Sequence, residues 1–269
     1  MNRIDQTFQQ LKEQGRQALI PFITAGDPNL ALTLKLMHGL VDAGADIIEL
    51  GIPFSDPMSD GPVIQLASER ALESGTSLTQ VIDLVSQFRQ DNDSTPVVLM
   101  GYLNPVEVMG YESFANKAAK AGVDGVLTVD MPPEESHQLV AAMKQVNLAP
   151  IYLIAPTTTD ARIGKIVALS QGYIYFVSLK GVTGSAALDI DSVAHHLKRI
   201  RQQTELPTGV GFGIKTPETA AQVSAIADAV VVGSVLVQKV ADNRNDEAAI
   251  FQQITALLAQ MRQAMDNNR

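Results

Sequence analysis

Eight short runs of apolar and β-branched residues, each followed by a longer segment of helical period, constrain the fold of this 269-residue chain more than any other feature. The runs cover residues 18–24, 46–51, 96–102, 124–130, 150–155, 173–178, 208–212 and 229–233. Because they are apolar along almost their whole length, we expect parallel strands that helices bury on both faces. The segments between them repeat apolar residues at helical spacing, as in Leu32, Leu36, Met37 and Leu40.

Eight strand–helix units predict a closed (β/α)8 barrel, the TIM barrel, because an open doubly wound sheet usually has fewer strands. The turn after the first run, residues 24–28, reads TAGDP and lacks the glycine fingerprint of a dinucleotide site. One barrel would use residues 1–269 as a single domain.

Three segments fall outside this repeat. An extra N-terminal helix, with Ile4, Phe8 and Leu11 on one face, is expected to cover the bottom of the barrel. The connections after strands two and six, residues 53–62 and 179–189, are longer than packing requires. Elongated loops on the carboxyl-terminal face of a barrel are candidate lids over an active site.

Charge and composition exclude several classes of protein. The chain has 20 Lys and Arg against 29 Asp and Glu, a net charge of −9, so we expect no nucleic-acid partner. A small phosphorylated metabolite is compatible, since helix N-terminal amides bind phosphate locally. The absence of cysteine excludes disulfides and thiolate ligands. Residues 1–17 are polar and no run of about 18 apolar residues occurs, so we expect a soluble, cytoplasmic protein without membrane contact.

Glu49 is the most informative single residue, because it interrupts an apolar strand near its carboxyl-terminal end. Active sites of such barrels lie at that end. A carboxyl group there loses hydration, which raises its pKa and suits it to carry protons near neutral pH. The alternative is a buried structural glutamate with a neighbouring hydrogen-bond donor.

Asp60 follows in the loop 53–62 and can fold back over the same barrel mouth. Two carboxylates from one strand–helix unit can divide the work: one moves protons and the other stays ionised and accepts a substrate hydrogen bond. The competing interpretation is ordinary turn chemistry, because aspartate before glycine and proline is common in turns.

Glycines close the seventh and eighth strands, where barrels of this class bind phosphate. Residues 209–214 read GVGFGI and residues 230–234 read VVVGS. Glycine lets the backbone approach an anion, and Ser234 would begin a short helix whose amides point at it. The candidate ligands are Gly211, Gly213, Gly233 and Ser234, and simple tight turns are the alternative.

A loop of residues 181–185, GVTGS, follows strand six and could close over the same phosphate, with Thr183 reaching toward the carboxylates. Other residues fall near strand ends and would form an apolar pocket floor, although such residues are usually core. They are Phe22, Met100, Tyr102, Leu127, Ile154 and Tyr175.

The remaining candidates are weaker. The four histidines, His38, His137, His195 and His196, lie in helical segments and predict no metal site. Lys180, just past strand six, could form a Schiff base with a carbonyl substrate. An exposed loop lysine is the alternative reading of Lys180.

Residues 48–57, IELGIPFSDP, and the DGP that follows at 60–62 resemble the signature of tryptophan synthase alpha subunits. Four further motifs match the same family: PFITAGDP at 21–28, MGYLNP at 100–105, GVTG at 181–184 and GFGI at 211–214. The resemblance therefore extends from the first strand to the eighth.

The resemblance implies retro-aldol cleavage of indole-3-glycerol phosphate to indole and glyceraldehyde 3-phosphate, with no cofactor in this chain. Glu49 would protonate indole C3 and help remove the glyceryl hydroxyl proton, and Asp60 would accept a hydrogen bond from the indole N–H. Breaking that carbon–carbon bond requires a protonated C3 and a stabilised cation, so the chemistry agrees.

The resemblance also assigns the binding residues. Gly184, Gly213, Gly233 and Ser234 would hold the phosphate, and Thr183 would couple loop closure to Asp60. Around the indole and propyl chain would lie Phe22, Met100, Tyr102, Leu127, Tyr175 and Phe212. The family works as an αββα complex whose beta subunit carries pyridoxal phosphate (PLP) and receives indole. Positions used at that interface match Asp56, Asn104 and Pro105.

Two departures from the family pattern stand out. Leu179 and Lys180 replace an arginine and a serine that many members carry, so we expect lid closure to differ in detail. Met100 replaces the more usual leucine, a volume-conserving change that we expect to be tolerated.

Two other functions are compatible with a phosphate-binding barrel. One is a Schiff-base aldolase that uses Lys180 on a sugar phosphate, which borohydride trapping would reveal. The other is a non-catalytic partner subunit, but a passive binder has no need of the buried acid Glu49. Neither explains the long match from Glu49 to Pro62.

Overall fold

The computed structural model describes residues 2–178 and 188–268, and its eight strands form a closed parallel barrel in sequential order. The eight strands are β1 (Ala18–Thr24), β2 (Ile48–Gly51), β3 (Val97–Gly101), β4 (Gly125–Thr128), β5 (Ala149–Ile154), β6 (Ile174–Val177), β7 (Thr208–Gly211) and β8 (Ala229–Val232). The barrel and all eight predicted strands are confirmed. The strand ends differ from the prediction by up to two residues.

Helices follow every strand and cover the outside of the barrel. Those within the described residues are α1 (Arg3–Glu13), α2 (Leu30–Asp42), α3 (Pro62–Glu73), α4 (Leu78–Phe88), α5 (Leu103–Met109), α6 (Tyr111–Ala121), α7 (His137–Gln145), α8 (Asp160–Leu169), α9 (Ile190–Arg201), α10 (Pro217–Ser224), α11 (Ser234–Asp242) and α12 (Glu247–Asn267). No helix within residues 2–178 and 188–268 has the length and hydropathy needed to cross a bilayer.

Alternation along the strands divides the apolar residues into two cores. One face of each strand packs against the helices, where Leu19, Leu99 and Val230 join helical residues such as Leu36. The other face fills the barrel interior with Ile20, Val98, Leu127, Ile151, Tyr173, Tyr175 and Val231. The interior is therefore a packed core, and the strands are buried on both faces as their apolar sequence predicts.

Helix α1 closes the amino-terminal end of the barrel, as predicted. Asn2 caps it in a capping box with Asp5, and the Asn2 amide donates to the carbonyl oxygen of Asp124 at 2.7 Å. Ile4 is fully buried, and Phe8 packs against Tyr173 with ring centroids 5.9 Å apart. The helix thus supports the lowest layer of the barrel interior.

A buried ion pair ties neighbouring units together at the same end. Asp124, which immediately precedes β4, has a side chain that is 3% exposed. It accepts hydrogen bonds from Arg89 Nη2 at 2.7 Å and Arg3 Nη1 at 2.9 Å, and from the Val97 backbone at 2.9 Å. The sequence does not reveal this pairing, because the partners are separated by 35 and 121 residues.

The two connections predicted to be long lie at the opposite, carboxyl-terminal end. Residues 52–61 join β2 to α3, and this elongated loop is confirmed. The connection between β6 and α9 runs from residue 178 to residue 189, but residues 179–187 lie outside the described part of the chain.

We expect Ile4→Ala to lower the free energy of unfolding by about 2–4 kcal/mol, because it leaves a cavity beneath the barrel interior. Urea denaturation of the purified chain measures this loss. The control is Gln10→Ala on the exposed face of α1, which we expect to change stability by less than about 0.5 kcal/mol. Equal effects of the two substitutions would show that α1 does not seal the barrel.

Candidate active site

Glu49 lies inside the barrel on β2, in register with Phe22 of β1 and Val98 of β3. Its side chain is completely buried, and Oε1 accepts a 2.5 Å hydrogen bond from the Tyr173 hydroxyl. Oε2 is buried without a hydrogen-bond partner among residues 2–178 and 188–268. Burial raises the pKa of Glu49 from 4.5 to about 7, although the Tyr173 hydrogen bond opposes the rise.

Tyr173 is the donor that holds this carboxyl group, and it is absent from the residues predicted from the sequence. Burial and then the Glu49 charge raise the pKa of Tyr173, so the phenol keeps its proton and remains a donor. A signal was present, because Tyr173 and the predicted Tyr175 are two positions apart in one strand and face the same side. Both lie in the barrel interior.

Asp60 lies in the loop between β2 and α3 and is half-buried. Its Oδ2 accepts a 3.0 Å hydrogen bond from the Tyr102 hydroxyl, which in turn accepts one from the Ser59 backbone at 3.0 Å. Phe54 of the same loop stacks on Tyr102, with centroids 5.2 Å apart. Burial raises the pKa of Asp60 above its ordinary value of 3.8, and the hydrogen bond from Tyr102 opposes the rise.

A cavity lined by Asp60 and Tyr102 opens to solvent and has a volume of about 270 Å³, counting the open space; Glu49 is not among its lining residues. Four predicted site residues line it: Phe22, Asp60, Met100 and Tyr102. Five lining residues with side chains are missing from the prediction: Thr24, Ile52, Ile64, Ser68 and Val129. Ile64 and Ser68 are four positions apart on α3, so a helical wheel of that segment could have placed them on one face.

Three other predicted floor residues do not line this cavity. Leu127 and Tyr175 lie in the barrel interior, where both are buried. The charges of Glu49 and Asp60 both raise the pKa of Tyr175, which places this ring within reach of both carboxylates. The prediction for Ile154 is wrong, because this side chain faces outward into the core between the sheet and the helices.

A turn with positive φ values follows β7, at the predicted phosphate-binding glycines. Phe212 and Gly213 have φ values of 72° and 76°, a turn conformation that only glycine adopts without strain. Ser178 Oγ lies 2.7 Å from the carbonyl oxygen of Gly211 and 2.8 Å from that of Phe212, which ties this turn to β6. Phe212 contacts Tyr175 edge-on, with ring centroids 6.4 Å apart.

Helix α11 begins at Ser234, as predicted, with Gly233 at its N-cap. The Leu236 and Val237 amides donate to the Gly233 carbonyl oxygen at 2.8 and 3.2 Å, and no side chain caps this end, so the Ser234 and Val235 amides have no intrahelical acceptor. These amides can bind a phosphate oxygen. Thr183, Gly184 and Lys180 lie outside the described residues.

The three residues predicted to face a partner lie on the carboxyl-terminal side of the barrel. Asp56 is exposed in the β2–α3 loop and accepts a hydrogen bond from Ser55. Asn104 is exposed and Pro105 is half-buried at the start of α5. Nearby in sequence, Met58 and Val108 are 83% and 81% exposed, which is unusual for large apolar side chains.

The described residues contain no group of three or more His, Asp or Glu side chains arranged to hold a metal ion. The histidines lie on helices α2, α7 and α9, as predicted.

A sequence profile of the tryptophan synthase alpha chain family matches residues 8–266. The chain belongs to this family. It is 59% identical over 266 residues to the alpha chain of Thioalkalivibrio sulfidiphilus. The match covers 99% of this chain and 100% of the relative. It is 59% identical over 267 residues to the alpha chain of Marinobacter nauticus, with 99% of both covered.

Solved structures of this family have the same fold. Tryptophan synthase subunit alpha from Legionella pneumophila str. Paris is 46% identical and superposes with a TM-score of 0.92, covering 99% of both chains. A tryptophan synthase chain of M. tuberculosis, in an aminoacrylate-bound form, is 31% identical with a TM-score of 0.88. That match covers 98% of this chain and 100% of the other.

Membership of the family confirms the activity that the sequence motifs implied. The alpha chain is a carbon–carbon lyase that cleaves indole-3-glycerol phosphate to indole and glyceraldehyde 3-phosphate. It works with a beta subunit in the biosynthesis of tryptophan. The alpha chain family has no cofactor of its own.

The raised pKa of Glu49 makes the stability of the chain depend on pH. The unfolded chain releases this proton near pH 4.5 and the folded chain near pH 7, so the wild type loses stability as pH rises through this window. Glu49→Gln keeps the hydrogen bond from Tyr173 but does not titrate. We therefore expect its stability relative to wild type to grow by roughly 3 kcal/mol between pH 4.5 and pH 7.

Urea unfolding at several pH values measures this difference. The exposed Glu205→Gln is the control for removing one negative charge. A stability difference between Glu49→Gln and wild type that stays constant with pH would show that Glu49 has the same pKa, near 4.5, in the folded and unfolded chains.

Proposed function

We propose that Glu49 is the acid and base of the cleavage reaction in this chain. The observation that supports this assignment is its complete burial inside the barrel, in register with the cavity-lining residue Phe22, with a pKa of about 7. A group with this pKa is present in both protonation states near neutral pH, so it can give and take a proton in one cycle. The unpartnered Oε2 provides a free position for that exchange.

The reaction needs two proton movements and no net change. A proton is added to indole C3, the bond from C3 to the glyceryl chain breaks, and its electron pair returns to the ring. The hydroxyl on the adjacent glyceryl carbon loses its proton as the carbonyl of the aldehyde forms. In our proposal Glu49 donates the first proton and helps to remove the second.

Asp60 stabilises the positive charge that the ring gains when C3 is protonated. In our proposal its carboxylate accepts a hydrogen bond from the indole N–H, a preorganised interaction that strengthens in the transition state. The Tyr102 hydrogen bond supports this role, since it holds Oδ2 and favours the charged form. One carboxyl group then moves protons while the other remains ionised.

The other site residues are assigned to the phosphate, to the indole and propyl chain, and to the loop after β6. We propose that Gly184, Gly211, Gly213, Gly233 and Ser234 hold the phosphate, with the start of α11 supplying amides. Phe22, Met100, Tyr102, Leu127, Tyr175 and Phe212 surround the indole and the propyl chain. Thr183 couples closure of the 179–189 loop to Asp60.

Assembly with the beta subunit completes the proposal. We expect an αββα tetramer in the cytoplasm, in which the beta subunit carries PLP and receives indole, while the alpha chain forms one domain over residues 1–269. Asp56, Asn104 and Pro105 contact the partner, and their position on the carboxyl-terminal side supports this. Indole then leaves through the face where it is produced.

We expect Glu49→Gln to lower kcat by at least about 100-fold, because the amide fills the same space but cannot carry a proton. Asp60→Asn should lower kcat by about 100-fold or more through the loss of charge stabilisation. Release of indole from indole-3-glycerol phosphate, with and without the beta subunit, measures both effects. The control is Glu205→Gln, which we expect to leave kcat unchanged.

Two results would contradict the assignment. A Glu49→Gln variant with wild-type kcat would exclude the proton-transfer role. A wild type that releases no indole even with its partner would remove the proposed reaction, and borohydride trapping on Lys180 would then test the aldolase alternative. We expect no trapped adduct with indole-3-glycerol phosphate.

A further inference from the structure

Asp60 lies on a loop, so something outside the loop must fix its position. Its carboxylate is held by Tyr102, and its own backbone carbonyl accepts a 2.8 Å hydrogen bond from the Gln65 side-chain amide. The same amide lies 3.4 Å from the carbonyl oxygen of Pro57. Gln65 therefore bonds both ends of the turn 57–60 that presents Asp60.

Gln65 occupies the first turns of α3, which follows this turn directly. The helix begins at Pro62 and has no side-chain cap, so Gln65 is the helical residue that fastens the preceding loop. Within the turn, the Asp60 backbone amide also donates to the Pro57 carbonyl oxygen at 3.0 Å. The Gln65 side chain thus links the position of α3 directly to this turn.

A buried ion pair anchors α3 to the end of β1. Arg70 Nε and Nη2 donate to the two carboxylate oxygens of Asp27 at 2.8 and 2.7 Å. The Asp27 side chain is 2% exposed, and Ser74 Oγ lies 3.2 Å from the carbonyl oxygen of Gly26 beside it. Paired hydrogen bonds of this kind fix orientation as well as distance.

Other residues of α3 form part of the cavity wall. Ile64 and Ser68 line the cavity, and Ala67 packs with Phe22 and Val237. Any shift of α3 would therefore move the wall and Asp60 together.

We propose that Gln65 and Arg70 are positioning residues for Asp60, Gln65 by holding its turn and Arg70 by anchoring the helix that carries Gln65. This inference rests on the proposed role of Asp60. A hydrogen bond to the indole N–H requires correct distance and direction, so a displacement of the turn weakens it where charge develops. The two residues touch no substrate atom in this scheme.

The test compares Gln65→Met and Arg70→Met in the alpha–beta complex, each in the wild-type and in the Asp60→Asn background. Methionine preserves much of the side-chain volume and removes the donors. We expect each substitution to lower kcat by about 10-fold in the wild-type background, with a smaller change in KM, as a small misplacement does. In the Asp60→Asn background we expect each substitution to leave kcat unchanged, a factor of about 1.

The matched control is Arg89→Met, which breaks the buried pair with Asp124 at the other end of the barrel. It should lower stability without lowering kcat per folded molecule. If Arg70→Met does not fold, Gln65→Met at a half-buried position still decides the outcome.

The proposal is overturned if Gln65→Met leaves kcat unchanged, or lowers it by the same factor in both backgrounds. It is overturned for Arg70 if Arg89→Met lowers kcat equally. These outcomes are distinct from failure of the proposed function, because that failure would appear as an Asp60→Asn variant with full activity.

Discussion

The Glu49 side chain is completely buried, and one hydrogen bond from Tyr173 fixes its orientation. The barrel makes this arrangement possible, since eight strands enclose a space that side chains must fill. A charged carboxylate in that space is costly, so burial raises its pKa to about 7. The closed lower end of the barrel, supported by Ile4 and Phe8, keeps the surroundings apolar. The property that suits Glu49 to proton transfer is therefore a consequence of the fold.

Glu49 and Asp60 have different environments because different parts of the fold hold them. Glu49 belongs to a strand whose neighbours on both sides hold it in register. Asp60 belongs to a loop and depends on Tyr102 and Gln65 for its position. A rigid, desolvated group suits proton transfer, whereas a half-buried group with a hydrogen-bond donor suits a lasting negative charge. The division of labour that we propose follows from these local environments.

Local sequence patterns predict the barrel, the N-terminal helix and the position of Glu49. The signals are apolar runs that alternate with segments of helical spacing, and each lies within a short stretch of sequence. The start of α11 at Ser234 could be predicted for the same reason. The partners of the two carboxylates could not, since Tyr173 is 124 residues from Glu49 and Tyr102 is 42 from Asp60. The prediction for Ile154 is wrong because successive side chains of a strand face opposite sides, and a strand that is apolar along its length does not show which side is the interior.

The most direct test of this account is an infrared titration of the Glu49 carboxyl group in the alpha chain. The band of the neutral acid is assigned by its absence from Glu49→Gln and followed as pH is raised. We expect a midpoint near 7 in wild type, and a higher midpoint in Tyr173→Phe, because the lost hydrogen bond favours the charged form. A wild-type midpoint near 4.5, the ordinary value for this side chain, would contradict the account.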